Sequence, residues 1–184
     1  MTQPPTQPPP EPRPRAPGPL AQTLASLRRL PDIRAALEAL GLFILVLLAG
    51  AWAANDGVLV LDPIDRGHLQ TLWLSAFLMP ALLEELVFRG WLHGGREAAL
   101  PAVASFLAFV LWHPVQVWLN LPFARPVFTD PGFLMVVATL GFACTLTRIR
   151  SGSIWPGVVI HWGVVVAWLA LFGGDVATGG LQAS

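Results

Sequence analysis

The sequence predicts an all-α protein, a polytopic bundle of about five transmembrane helices with its N-terminus in the cytoplasm. Of the 184 residues, 54% are apolar and only 12% are charged, whereas an average soluble domain has roughly 25% charged residues. The apolar residues gather into five stretches, most of them near the roughly 20 residues that a membrane-spanning helix needs. Basic and acidic residues balance at eleven each, so no basic excess is available to bind nucleic acid.

The predicted spans differ in length. In chain order they cover about residues 35–54, 69–90, 99–119, 133–146 and 154–172. The fourth is short, because its apolar run ends at Arg148 and Arg150. The single cysteine, Cys144, excludes a disulfide framework and a zinc site built from cysteines.

The arginines predict the orientation of the bundle. They collect in the N-terminal tail, between the second and third spans, and between the fourth and fifth spans, whereas the other loops hold only Arg66 and Arg125 beside four aspartates. Since basic residues favour the cytoplasmic side, the N-terminus is expected inside and the C-terminus outside.

The chain divides into one domain with two tails. Residues 1–30 begin with a proline-rich stretch that has no apolar periodicity, which predicts a disordered cytoplasmic tail. Residues 31–174 form the predicted transmembrane domain, and residues 175–184 a short C-terminal tail.

Five ionisable residues in the second, third and fifth predicted spans are candidates for function. Ionisable groups at membrane depth are costly, about 2.5–3.5 kcal/mol each, and by default mark function. With 1.5 Å of rise per residue, Glu84, His161 and His113 lie about 9 to 20 Å deep, which permits a single cluster. The residues are Glu84, Glu85 and Arg89 in the second span, His113 in the third and His161 in the fifth.

The two adjacent glutamates have different partners within their own helix. Glu85 and Arg89 are four residues apart in the favourable order, so Arg89 can neutralise Glu85. Glu84 points about 100° away and has no cation four residues later. The sequence therefore predicts one structural carboxylate and one free to act as a general base. The alternatives are an interfacial charge cluster and histidines that bridge helices.

The order of these residues resembles one family. Glu84 to Arg89 reads EExxxR, Phe109 to His113 reads FxxxH, and His161 follows the loop-to-helix segment SGSIWPGVVI. Motifs in this order on successive apolar spans resemble the CAAX proteases and bacteriocin-processing enzymes (CPBP or Abi), over about residues 69–172. This resemblance implies that the chain is a hydrolase, a glutamate-dependent intramembrane endopeptidase, and that it lies in a bacterial inner membrane.

The resemblance also implies roles and partners. Glu84 would activate water with help from His113, and His161 would stabilise the oxyanion. Glu85 and Arg89 would support the helix of Glu84, and Phe109 would pack beneath the second motif. The expected substrate is a membrane-anchored, lipidated or hydrophobic protein or peptide in the lipid bilayer, and no cofactor is expected.

One position departs from the family pattern. The last motif reads HxxxN or HxxxD, but Val165 stands four residues after His161. Valine donates no hydrogen bond, and losing one oxyanion donor typically lowers the rate about 10²–10³-fold. Trp168, one turn further along, is a possible substitute donor; otherwise the chain is a divergent or an inactive member.

Three alternatives remain open from the sequence. Zinc held by Glu84, His113 and His161 is chemically possible, because His₂Glu sets occur in catalytic zinc sites. A non-catalytic protein of the same fold, with an immunity or scaffold role, is the second. A proton-coupled carrier is the third, although no inverted repeat is evident.

Motifs of other intramembrane proteases are missing: there is no HExxH string, and no aspartate lies within a span.

Overall fold

The computed structural model describes residues 18–64, 66–93, 98–122 and 124–173, without the side chains of residues 66–70. Within these residues the chain is all-helical and has no strand. Its helices are α1 (Pro19–Arg28), α2 (Ile33–Asn55), α3 (Arg66–Ala76), α4 (Leu83–Arg89), α5 (Ala99–Trp118), α6 (Pro131–Ser151) and α7 (Trp155–Phe172).

Five segments are long and apolar enough to cross a membrane, which confirms the predicted class of fold. They are Ile33–Asn55, Thr71–Arg89, Ala99–Trp118, Pro131–Ser151 and Trp155–Phe172. The protein is therefore an integral, multi-pass membrane protein. The fourth span extends well beyond the predicted 133–146, from an Asp130 cap to Gly152, where φ is +70°. The predicted span ended too early because Arg148 is charged. Arg148 nevertheless belongs to α6, and its side chain is buried.

Helix α6 runs antiparallel to α2 and α7. At one end of the bundle Arg150 Nε lies 3.0 Å from Glu38 Oε1 and joins the end of α6 to the start of α2. At the other end Asp62 N–H donates to Leu171 O, at 2.9 Å, and ties the loop after α2 to the end of α7. We call the first of these the arginine-rich end. That this end faces the cytoplasm stays a prediction.

Helix α1 corrects the predicted tail. Residues 1–30 were expected to be disordered, but Pro19–Arg28 is helical. The helix has tertiary partners: Trp155 Nε1–H donates to Leu27 O at 2.9 Å, and Ile154 N–H donates to Ser26 O at 3.3 Å. Ser26 is completely buried. These contacts hold α1 against the start of α7. Residues 1–17 and 175–184 lie outside the described residues.

The second span is not one continuous helix. Between α3 and α4 the irregular turn Phe77–Leu82 contains Pro80, and Met79 leaves the helical region at φ −138° and ψ 121°. A proline inside a helix removes a backbone donor and clashes with the preceding turn, which accounts for the interruption at this point. The break makes α4 a separate seven-residue helix that carries both glutamates.

Candidate active site

Glu85 lies at the centre of a buried ionic cluster. Its Oε1 atom lies 2.7 Å from Arg89 Nη1 and 3.2 Å from His161 Nδ1. The three side chains are at most 2% exposed. The predicted pairing of Glu85 with Arg89 is present, and the contact with His161 adds a link from α4 to α7.

Arg89 is held by the two neighbouring helices as well. Its guanidinium carbon lies 3.9 Å from the centre of the Phe109 ring, a cation–π contact with α5. Its Nε donates to Thr145 Oγ1 and its Nη2 donates to Gly141 O, both at 3.4 Å. Since Thr145 and Gly141 belong to α6, Arg89 connects three spans around Glu85.

Glu84 faces a different environment from Glu85. Its side chain is 15% exposed, against 1% for Glu85. The buried Oε2 atoms of both glutamates have no hydrogen-bond partner among the described residues, but only that of Glu84 faces His161 Nε2, at 3.8 Å. The indole N–H of Trp112, on α5, also interacts with the Glu84 carboxylate. Glu84 is thus the less constrained of the two carboxylates, and its role as a general base stays a prediction.

His161 bridges the two glutamates through its two ring nitrogens. Nδ1–H donates to the Glu85 carboxylate, because an ionised carboxylate only accepts hydrogen bonds. This contact leaves Nε2 directed toward Glu84 Oε2. The 3.8 Å separation exceeds a direct hydrogen bond, so a small polar group positioned near both atoms can contact each of them.

His113 joins the cluster indirectly. Its Nδ1–H donates to Phe109 O, one turn earlier, at 3.0 Å, which leaves Nε2 as the acceptor of the neutral ring. Among the described residues, no hydrogen bond or ion pair joins His113 to Glu84. The ring packs edge-on against Phe128, with centroids 5.3 Å apart.

Phe109 connects the two histidines. Its ring centroid lies 5.2 Å from that of His113 and 5.6 Å from that of His161, in both cases edge-to-face. The side chain is fully buried. Together with the contact to Arg89, these distances place Phe109 at the junction of all three motifs.

Val165 and Trp168 lie on α7 beyond His161. Val165 is buried, at 9% exposure. The Trp168 ring packs against Phe133 and Phe128, with centroids 5.6 and 6.0 Å apart, in the same aromatic cluster as His113. A different tryptophan, Trp112 on α5, interacts with the Glu84 carboxylate.

Gly157 supports the ionic cluster and was missed from the sequence. A Cβ atom at Gly157 would lie 2.9 Å from Glu85 Oε2, so α7 can approach the carboxylate this closely only with glycine there. The carbonyl oxygen of the same residue accepts a hydrogen bond from Cys144 Sγ at 3.5 Å. The segment SGSIWPG carried the family resemblance, but nothing in it indicated this contact.

Arg148 is a second missed residue. It was read as a loop charge, yet it is only 3% exposed. Its side chain donates to the carbonyl oxygens of Arg89, at 3.1 Å, of Gly90, at 3.2 Å, and of Leu92. These are carbonyls at the end of α4, where a helix has unpaired acceptors and a favourable dipole for a cation. Arg148 therefore fixes the C-terminal end of the helix that carries the glutamates.

The zinc alternative lacks a compact ligand set. Within the described parts of the chain, no group of three or more histidine, cysteine, aspartate or glutamate side chains is placed to hold a metal ion. Glu84 and His161 are close, but His113 is bonded to Phe109 O.

The fold and site together define a class of protein: a multi-pass membrane protein that buries two glutamates, an arginine and a histidine between its spans. The model of the family described as type II CAAX prenyl endopeptidase Rce1-like matches residues 67–167. This is more than half of the chain, so the protein belongs to this family, and the predicted resemblance is confirmed. No curated protein and no solved structure matches the chain. The family is one of proteases, which assigns the chain at a coarse level to the hydrolases.

Proposed function

We propose that the protein is an intramembrane endopeptidase in which Glu84 activates a water molecule. One observation carries this proposal: the unpartnered Oε2 atom of Glu84 faces His161 Nε2 at 3.8 Å, while Glu85 holds the other nitrogen of that ring. A carboxylate without a cation of its own, beside a histidine of fixed orientation, is a suitable pair for general acid–base catalysis.

The chemical step needs three functions. Glu84 takes a proton from water, and the water oxygen forms a bond to the carbon of the scissile amide. The carbonyl oxygen becomes an oxyanion, to which His161, when protonated, donates from Nε2–H. The C–N bond then breaks, and the leaving amine receives the proton held by Glu84. His113 orients the water through Nε2, since its Nδ1 is bonded to Phe109 O.

Glu85 and Arg89 are positioning residues in this scheme. The Glu85 carboxylate makes no contact with the reacting atoms; it fixes the orientation of His161. Arg89 neutralises Glu85 in the interior, because a buried carboxylate without a cation is strongly destabilising. The Phe109 ring supports both Arg89 and His161.

The substrate class follows from where the site lies. The glutamates and histidines belong to segments long and apolar enough to cross the membrane, so a peptide bond that reaches them belongs to a chain that enters the bilayer. We therefore expect a membrane-anchored or lipidated protein terminus, or a hydrophobic peptide. The CAAX prenyl substrate in the family's description is one member of this class. The expected location is a bacterial cell membrane.

Val165 favours a second function, that of a non-catalytic family member with an immunity or scaffold role. The residue is buried and cannot supply the donor that the family motif places four residues after the histidine. Against this alternative, the pair proposed for catalysis is intact, with Glu84 Oε2 3.8 Å from His161 Nε2. Activity measurements distinguish the two functions.

The test is proteolysis by the full chain reconstituted in lipid vesicles. The probes are synthetic peptides whose C-terminal cysteine is farnesylated, geranylgeranylated or unmodified, and hydrophobic leader peptides, with products identified by mass spectrometry. The proposal expects one class to be cut at a single bond, and Glu84→Gln to remove the product. Cleavage that persists in Glu84→Gln contradicts the mechanism, and no cleavage of any class favours the non-catalytic alternative.

A further inference from the structure

A cavity of about 250 Å³ opens at the arginine-rich end, away from the catalytic cluster. It lies between the α1–α2 junction, the first turns of α2 and the last turn of α6. Its polar and charged lining comprises Arg29, Asp32, Arg34, Glu38, Arg150 and Ser151. None of these residues takes part in the proposed proteolysis.

The acidic groups in the cavity are already engaged. Asp32 Oδ1 accepts a hydrogen bond from Ala35 N at 2.8 Å and caps α2. Glu38 Oε1 pairs with Arg150 Nε at 3.0 Å. For the other two arginines of the lining, Arg29 and Arg34, the described residues provide no carboxylate partner. The cavity lining therefore carries a net charge of +1, from three arginines and two carboxylates, and neither Arg29 nor Arg34 is held in an ion pair by the described residues.

A further cation lies behind the cavity. Arg148, which is buried and bonded to backbone carbonyls, is close enough to Arg29 for the two charges to repel. The Arg29 side chain also packs over Gly152, where an added Cβ would lie 3.0 Å from its Nη1 atom. An anion in the cavity would relieve this repulsion, and a guanidinium binds phosphate through two parallel hydrogen bonds.

The cavity also has an apolar edge. Ile33 and Leu37, one turn apart on α2, are 72% and 62% exposed, and Leu30 before them is 79% exposed. They are adjacent in sequence to Arg34 and Glu38, so the charged and apolar stripes run side by side along the first turns of α2. Since α2 begins its membrane-crossing segment at Ile33, this edge lies where headgroups meet acyl chains.

From these observations we propose that the cavity binds the phosphodiester headgroup of an anionic phospholipid. Arg29 and Arg34 bind the phosphate, and the acyl chains lie along Ile33 and Leu37. Basic pockets between the ends of transmembrane helices bind anionic headgroups by the same chemistry. A free phosphate ion shares that chemistry but gains nothing from the apolar edge. Bound lipid would join α1 and α2 to the end of α6, which carries Arg148 and so fixes the glutamate helix.

The test is thermal unfolding of the full chain in nanodiscs. The probes are discs of phosphatidylcholine, discs with added phosphatidylglycerol, and phosphatidylcholine discs with millimolar inorganic phosphate. The proposal expects phosphatidylglycerol to raise the Tm by roughly 5 °C at saturation. Arg29→Gln combined with Arg34→Gln should abolish that rise. Arg28→Gln, an exposed arginine of α1 outside the cavity, should keep it.

Three results overturn the proposal. They are no difference between the two lipids, an equal loss of the rise in Arg28→Gln and in the double variant, and an equal rise with inorganic phosphate alone. If the double variant does not fold, native mass spectrometry of the unaltered protein replaces it. Retention of one phosphatidylglycerol in preference to phosphatidylcholine supports the site, and equal retention contradicts it.

Discussion

Glu85 Oε1 lies 3.2 Å from His161 Nδ1, although the two residues are 76 positions apart. Because Glu85 holds Nδ1, the other ring nitrogen of His161, Nε2, is directed toward Glu84. A buried carboxylate performs the same task for the catalytic histidine of serine proteases, where it holds the imidazole in one tautomer and orientation. Adjacent glutamates on one short helix thus have separate tasks: Glu85 orients, and Glu84 faces the histidine.

Replacing Glu85 should lower stability through the loss of its pair with Arg89, and lower activity through the loss of its contact with His161. Glu85→Gln leaves Arg89 as a buried cation without its 2.7 Å partner, so we expect destabilisation of about 3–5 kcal/mol. The double variant Glu85→Gln with Arg89→Met removes both charges and should recover most of the Tm. It should not recover activity, because His161 still lacks its anionic partner. Thermal unfolding and cleavage rates of the three proteins check this, and a fully active double variant would limit Glu85 to pairing with Arg89.

Gly157→Ala tests how closely α7 approaches the ionic cluster. The new Cβ would lie 2.9 Å from Glu85 Oε2, and overpacking of a buried site costs about 1–3 kcal/mol. We expect a lower Tm and a lower kcat, since His161 moves with α7. The control is Gly41→Ala in α2, where no atom lies within 4 Å of the added Cβ and stability should rise by up to about 1 kcal/mol. Equal behaviour of the two variants would show that the contact is unimportant.

Val165→Asn tests whether a donor is missing from the site. Position 165 lies on the same helix face as His161, and Val165 is buried. If the donor limits catalysis, Val165→Asn should raise kcat by at most about 10²-fold. If Val165 contacts an apolar substrate, KM should rise while kcat stays level or falls; measuring the two constants separately distinguishes these cases. No change in either constant would show that Val165 does not face the site.

Chelation tests the zinc alternative. With Glu84 as a general base, activity should survive phenanthroline, and elemental analysis of the purified protein should find less than one zinc per chain. Activity that is lost on chelation and restored by added zinc would assign Glu84, His113 and His161 to a metal site instead.

The sequence predicted the fold through its composition. Apolar runs of about 20 residues fixed the number and order of the spans, because a bilayer tolerates few polar groups. The length of α6 could not be predicted the same way. Arg148 ends the apolar run in the sequence, but backbone carbonyls at the end of the second span accept its hydrogen bonds. A hydropathy profile does not show such partners. Helix α1 escaped prediction for a similar reason, since its contacts with Ile154 and Trp155 are long-range.

The pairing of Glu85 with Arg89 was predictable because it is local, four residues apart on one helix. The contact between Glu85 and His161 was not, because it depends on the packing of α4 against α7. The predicted depths permitted one cluster, and the structure brings Glu84, Glu85 and His161 together while His113 is linked through Phe109. Trp112 stands next to His113 in the sequence, but only the rotation of α5 shows that its N–H reaches Glu84.

The most direct test of the central claim is the cleavage rate of Glu84→Gln in lipid vesicles, measured beside Asp56→Asn. Both variants convert a carboxylate to an amide, but Asp56 is exposed at the end of α2. We predict that Glu84→Gln lowers kcat by about 10²–10⁴-fold with an unchanged Tm, while Asp56→Asn stays within about twofold of the unaltered protein. A Glu84→Gln protein as active as the unaltered chain would contradict the assignment of Glu84 as the general base.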